Sequence, residues 1–288
     1  MAGEILPINF GDLAKPATVL VEKISAAIGG VFEPWQIRRI AKAEAEADKI
    51  QAIAKIEITK LEQRALQRFM YEEARKQNNI ESITSRALPQ LTEKAKPEKV
   101  DEDWIINFFD KCRLVSDEEM QALWSRILAG EANTPGSFSK ITINLMASLE
   151  KEDALLFTKL CGFNWTIGGL QPLVYNPAEE IYKKEGVDFV TLKHLDAIGL
   201  ISFDSLAGYL RKGFSKKAIA IYKNVPFELE FLKEKDNELQ IGHIMFTHSG
   251  SELAKICSPK NITGFVDYVI QQWTRVGIKV LPLNNPVI

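Results

Sequence analysis

The sequence predicts an α+β protein that is predominantly helical. It should hold a long N-terminal helix, a small central helical bundle, and a C-terminal winged-helix-like domain with a small antiparallel sheet. Three observations carry this expectation. Residues 35–76 contain neither glycine nor proline and repeat apolar residues at steps of three and four, which marks a helix. Residues 101–160 hold four apolar stripes separated by helix stops and caps. Beyond Gly162 the pattern changes to short alternating segments bounded by turn residues such as Asn224 and Asp236-Asn237.

The expected parts are an amphipathic helix over 1–33, a helical arm over 34–88, a linker over 89–100, a bundle over 101–165 and the winged-helix-like domain over 166–288. In the first, Asp12 can cap a helix whose first turn takes Pro16, and Leu20, Ile24, Ala27, Ile28 and Val31 form one stripe. Packing on another helix is the favoured outlet for that stripe. Peripheral contact of residues 16–32 with a membrane surface is the alternative.

The arm carries its apolar stripe along a rod of roughly 60 Å, at about 1.5 Å per residue. Short helices cannot cover such a seam. The sequence therefore predicts a homo-oligomer joined through Ile40, Ala47, Ile50, Ala54, Ile58, Leu61 and Phe69. Asn78-Asn79 should loosen the helix before a short one over 81–88. Pro97, among lysines and glutamates, marks the linker.

In the bundle, Trp104, Ile105, Phe108, Phe109 and Cys112 share one helix face. Ser116-Asp117-Glu118-Glu119 has the form of a capping box, with Ser116 as cap. Met120, Leu123, Trp124, Ile127 and Leu128 follow, with Gly130 as the stop. Ser137 or Ser139 can cap a third helix carrying Ile141, Leu145 and Leu149. A fourth, from Lys151, carries Leu155, Leu156, Phe157 and Leu160. Trp104, Phe108, Trp124 and Phe157 are the expected core.

The series Asp103-Trp104, Phe108-Phe109, Ser116 to Gln121, Leu123-Trp124, Ile127 to Glu131 and Pro135 to Ser139 resembles an uncharacterised bacterial domain-of-unknown-function family, number twenty-eight-zero-six. The resemblance extends more weakly from about Ala26 into the C-terminal part. A looser similarity links the central unit to abortive-infection alpha-type proteins. These resemblances imply a fold region and a bacterial stress or phage-defence setting; they supply no catalytic motif.

After a loop punctuated by Gly168-Gly169, Pro172 and Pro177, one or two helical turns fit residues 177–184. An apolar helix over 190–198 stops at Gly199. Segments 214–222, 227–231 and 240–247 read as one antiparallel meander. Thr247 or Ser249 then caps a helix, residues 262–275 form an amphipathic one, and 276–282 a final strand. The order of helix, Gly-Leu-Ile, strands and Thr-x-x-Gly-x-x-Leu resembles a winged helix, with a longer insertion between Ile201 and Gln240.

A formal charge of −2 argues against nucleic-acid binding over the whole surface. Locally, Arg211, Lys212, Lys216, Lys217 and Lys223 stand with no acid between them, a candidate phosphate-binding segment. Cys112, Cys161 and Cys257 read as free thiols, and His194, His243 and His248 lack metal-ligand spacing. No signal peptide or membrane span is recognisable, so a cytoplasmic protein is expected. No cofactor, metal or catalytic residue is indicated. The leading expectation is a non-enzymatic, oligomerising interaction protein whose C-terminal end docks a protein partner. The alternatives are a nucleic-acid-binding regulator using the basic segment, and a hydrolase built around Glu131 and Arg126, which a deep pocket gathering Asp103 with them would support.

Overall fold

The computed structural model describes residues 15–29 and 59–283. The predicted interface positions Ile40, Ala47, Ile50, Ala54 and Ile58 lie outside the described residues. The architecture is α+β, with small antiparallel sheets, and it divides into two compact units between Ala147 and Ser148.

The first unit holds α1 (Lys15–Ile28), α2 (Lys60–Ala87), α3 (Glu102–Cys112), α4 (Glu118–Asn133) and α5 (Lys140–Ser148). Helix α1 buries Ala17, Leu20, Val21 and Ile24 against α3 and the 3-10 turn Pro97–Lys99. Leu20 and Ile24 of its stripe therefore meet another helix, while Ala27 and Ile28 are half-buried.

Helix α2 departs from the predicted rod at both ends. Thr59 has extended backbone and caps the helix. Its amide donates to Glu62 Oε2 at 2.8 Å, and the Glu62 amide donates to Thr59 Oγ1 at 3.3 Å, a reciprocal capping box. A helix therefore starts at Lys60, with Thr59 non-helical within the predicted rod. Asn78-Asn79 does not loosen it, for α2 runs on to Ala87. Asn79 is buried, and its amide donates to the Arg113 carbonyl at 2.9 Å and to Ser116 Oγ at 3.2 Å. Tertiary hydrogen bonds outweigh its weak helix preference. Residues 89–100 are a packed crossing: Pro97 and Val100 are buried, the Lys96 amide donates to the Ala132 carbonyl at 2.8 Å, and the Thr92 amide to Asn133 Oδ1 at 2.8 Å.

The core of this unit is aromatic, as predicted for three of its four members. Phe108 stacks on Trp104 at 5.1 Å and meets Trp124 edge-on at 5.3 Å. Phe157 belongs to the other unit, where it packs on Phe246. Asp117, not Ser116, caps α4, accepting from the Glu119 and Met120 amides at 3.0 Å; Ser116 is drawn to Asn79. Helix α4 continues through Gly130 to Asn133. The glycine is needed for closeness: a Cβ there would lie 2.7 Å from the Phe138 ring. Ser139 caps α5 through the Thr142 amide. Helix α5 buries Thr142, Ile143 and Met146 while Ile141 faces solvent, so its inner face is rotated from the predicted stripe.

The second unit begins with α6 (Lys151–Leu160). Its other helices are α7 (Glu180–Lys183), α8 (Phe189–Ala197), α9 (His248–Ala254) and α10 (Phe265–Arg275). Strands β1 (Asn164–Thr166), β2 (Leu170–Pro172), β5 (Lys217–Tyr222), β6 (Val225–Glu230) and β9 (Lys279–Pro282) form one sheet in the order β2-β1-β5-β6-β9. β3 (Ile201–Phe203) pairs with β8 (Ile244–Phe246), and β4 (Tyr209–Phe214) with β7 (Asn237–Gly242). The single predicted meander is thus distributed over three sheets. The β5–β6 hairpin closes through left-handed Lys223 and Asn224, as a tight two-residue hairpin turn demands. It is flanked by β1, from a stretch read as loop, and by β9. Trp165 anchors the core against Tyr222, Phe227 and Trp273, with ring centroids 5.0 Å to 5.3 Å away.

The fit of Phe138 over α4 yields a direct test. Gly130→Ala should lower the unfolding free energy by about 1–3 kcal/mol through overpacking, read from urea denaturation. Adding Phe138→Leu should recover part of the loss.

Candidate functional site

A cleft of about 420 Å³ opens on the second unit, lined by Asn176, Pro177, Ala178, Lys183, Asp188, Phe189, Val190, Phe203, Ser205 and His243. Its size and its mix of aromatic wall and few polar groups are those of a small-molecule site.

Gly242 places one edge. It has φ 92°, and a Cβ there would lie 2.2 Å from the Val174 carbonyl oxygen. Only glycine allows this crossing. The next amide, of His243, donates to that carbonyl at 2.8 Å. The His243 ring then has Nδ1 2.7 Å from the Asp204 carbonyl oxygen. A carbonyl only accepts, so Nδ1 carries the hydrogen and Nε2 of the neutral ring is an acceptor. The opposite wall, residues 176–178, is held by Tyr182, whose hydroxyl donates to the Leu173 carbonyl at 3.0 Å and accepts from the Tyr175 amide at 3.3 Å. Burial pushes the Tyr182 and Tyr175 hydroxyls far up, so they stay neutral. Phe203 is the buried floor; Phe189 meets it edge-on at 5.4 Å, and Lys193 Nζ lies 5.1 Å over its ring. Asp188 accepts from the Thr191 amide at 2.9 Å as the cap of α8. That bond, against a smaller effect of burial, holds its carboxyl below the usual range.

The five basic residues singled out by the sequence do not converge on one face as free cations. Arg211 donates through both terminal nitrogens to the Ile167 and Gly168 carbonyls. Lys212 pairs with Glu238 at 3.0 Å, Lys216 with Glu234 at 2.6 Å and Lys217 with Glu228 at 2.8 Å. Lys223 donates to the Pro259 carbonyl at 3.0 Å. The acids following in sequence supply the partners because the strands bring them alongside.

Of the acids flanking the central motif, Glu131 is buried and accepts from the Gly136 and Phe138 amides at 2.6 Å and 3.0 Å, closing the loop between α4 and α5. Asp103 is exposed, 4.0 Å from Lys140. Each thus has a structural partner. His194 meets Asp153 at 2.6 Å and His248 meets Glu252 at 2.9 Å. Among the described residues, no three His, Cys, Asp or Glu side chains gather as a metal site, and no helix is long and apolar enough to cross a membrane. Leu61 and Phe69, the described members of the predicted interface, are 68% and 60% exposed.

The family described as protein of unknown function (DUF2806) matches residues 63–270, more than half of the chain. The chain belongs to this family. The DUF2806 match enters partway along α2 and ends within α10, so it spans both units and includes the whole cleft lining. No curated protein and no solved structure matches the chain. The cleft escaped sequence reasoning because its lining is scattered over residues 176–243. The one local signal was Gly242-His243, a glycine inside an alternating strand pattern, which marks close backbone approach.

The contact of Asp153 with His194 predicts an acid-sensitive bond. Burial works to raise the Asp153 carboxyl, but hydrogen bonds from His194 and the Glu150 amide, with the charge of His194, outweigh it and hold it below the usual range. Its contribution is therefore present above an unfolded-state value of about 3.9 and lost as pH falls through the lower folded value. Asp153→Asn should cost about 1 kcal/mol at neutral pH by weakening the α6 cap. Urea denaturation should show the gap from the parent protein closing below about pH 4.

Proposed function

We propose that this protein is a non-enzymatic, self-associating interaction protein, joined to a second copy through the first half of α2. The observation that carries the reading is that every residue from Thr59 to Phe69 is exposed. Among them Leu61, Ala65 and Phe69 recur at steps of four, with Leu66 beside them. A helix keeps such a stripe bare at a cost in solvation that a partner helix removes. A second copy fits because Lys60, Arg64 and Arg68 precede Glu72 and Glu73 along the helix. Antiparallel pairing brings Lys60 and Arg64 of one copy toward Glu72 and Glu73 of the other, beside the pairs those acids make with Arg68 and Lys76 along their own helix. The same spacing of alanine and isoleucine continues in sequence through Ile40, Ala47, Ile50, Ala54 and Ile58, which extends the seam in this proposal.

The C-terminal unit then serves as the docking end. In this reading α8, the β3–β8 pair and α9 form its winged-helix-like part, and residues 204–243 are the insertion. The setting is a bacterial cell under stress or phage attack, as the resemblance to abortive-infection proteins implies. Nucleic-acid binding through residues 211–223 draws less support, since each of those cations already has an acceptor within the chain.

Light scattering coupled to size exclusion tests the reading. The chain weighs 32.4 kDa, and the solution mass should be at least twice that. Leu61→Asp with Phe69→Asp, both exposed in one chain, should return the mass to a single chain with unchanged far-ultraviolet dichroism. A parent protein that runs as a single chain throughout the micromolar range overturns it.

A further inference from the structure

We propose that the cleft beside His243 is a binding site for a small planar heteroaromatic anion, one whose ring carries an N–H donor and whose edge carries a carboxylate. Nothing in the family description assigns this site, and it is independent of self-association through α2.

Three features define the ligand. Shape comes first: Phe203 floors the cleft, and Phe189 and Val190, on the first turn of α8, form an apolar wall that is largely exposed. About 420 Å³ accommodates a bicyclic ring rather than a polymer. An aromatic floor and wall favour a flat, apolar body over a sugar or a bare ion. Second, the polar chemistry is set by a fixed tautomer. With Nδ1–H committed to the Asp204 carbonyl at 2.7 Å, the neutral form of the His243 ring offers a ligand an acceptor at Nε2, so a ligand that donates fits it. A donor on the ring satisfies Nε2; a ring without one leaves it unpaired when the cleft fills, which binding sites penalise.

Third, a cation on the cleft lining can meet an anion. Four acids lie around it, Asp188, Asp204, Asp196 and Glu180, and each already has a partner within the chain. Asp188 caps α8 through the Thr191 amide, where the helix N-terminus already balances its charge. Asp204 accepts from the Leu206 and Ala207 amides at 2.9 Å and 3.0 Å. Lys183 reaches Glu180 at 4.0 Å, on the surface, and Lys193, paired with Asp196 at 3.6 Å, lies over the floor ring. A carboxylate placed beside Lys183 would gain a charge-assisted contact while the ring rests on Phe203.

The probe is indole-3-acetate, with two controls: its 1-methyl derivative, which lacks the N–H, and indole, which lacks the carboxylate. Binding to the full chain is followed by titration calorimetry and by the ring-nitrogen resonances of His243, distinguished from those of the other two histidines by His243→Gln. Indole-3-acetate should bind saturably at one site per chain and move the His243 Nε2 resonance. The 1-methyl compound should bind about tenfold more weakly, the loss of one hydrogen bond. Lys183→Ala should weaken the acid but leave indole unchanged. Because the methylation arm needs no altered protein, a variant that fails to fold does not spoil the test. The proposal is overturned by the absence of saturable binding, by equal affinity of the methylated compound, or by resonance changes confined to residues outside the cleft.

Discussion

A buried polar junction between α2 and α4 governs the first unit. Asn79 reaches the Arg113 carbonyl, the Gln121 amide donates to Asn79 Oδ1 at 3.2 Å, and Ser82 donates to Gln121 Oε1 at 2.7 Å. Gln121 also closes on the Val115 carbonyl at 2.9 Å. Each of these groups would be costly to bury alone, and together they are satisfied. The junction fixes the angle and register of α2 against the bundle. Its second half, with Ile83 and Ala87 fully buried, becomes core. Its first half is then an extension of a rigid element, with its leucines and phenylalanine uncovered. The exposure of that half follows from the anchoring of the other.

The second unit is governed by an equally local constraint, the crossing of Gly242 over Val174. It brings β7 to the loop after β2 and delivers His243 to the cleft edge. The adjoining strands place Glu228, Glu234 and Glu238 beside Lys217, Lys216 and Lys212. A segment that looks strongly basic in sequence therefore has three of its five charges paired in the fold, with Arg211 and Lys223 held by carbonyls, while Lys183 lies at the cleft. Surface pairs of this kind add little to stability, but they decide where charge is available to a ligand.

Much of the first unit could be read from the sequence. The apolar stripes of α1 and α3, the Trp104–Phe108–Trp124 cluster and the loop before α5 all depend on local spacing, and local spacing is what a sequence displays. The failures share one cause: a local signal had a competitor that only tertiary structure reveals. Thr59 and Glu62 spell a capping box, but the unbroken alanine, glutamate and lysine periodicity on either side masked it. Asn78-Asn79 looks like a helix breaker until the Arg113 carbonyl is placed opposite. Gly130 looks like a stop until Phe138 is laid upon it. Ser116 and Asp117 both can cap, and Asn79 decides between them by engaging the serine. In the second unit the strands were found in part, but their partners were not, since β1 and β9 come from opposite ends of the unit. The cleft was illegible for the same reason: its wall, floor and histidine come from separated segments.

The central claim is that the bare half of α2 is covered by another copy of the chain. Amide hydrogen exchange over residues 60–69, measured across a dilution series of the full chain, tests it most directly. The account predicts slow exchange at high concentration, approaching that of residues 79–87, and faster exchange on dilution while residues 79–87 remain unchanged. Exchange over residues 60–69 that is rapid and independent of concentration would contradict it.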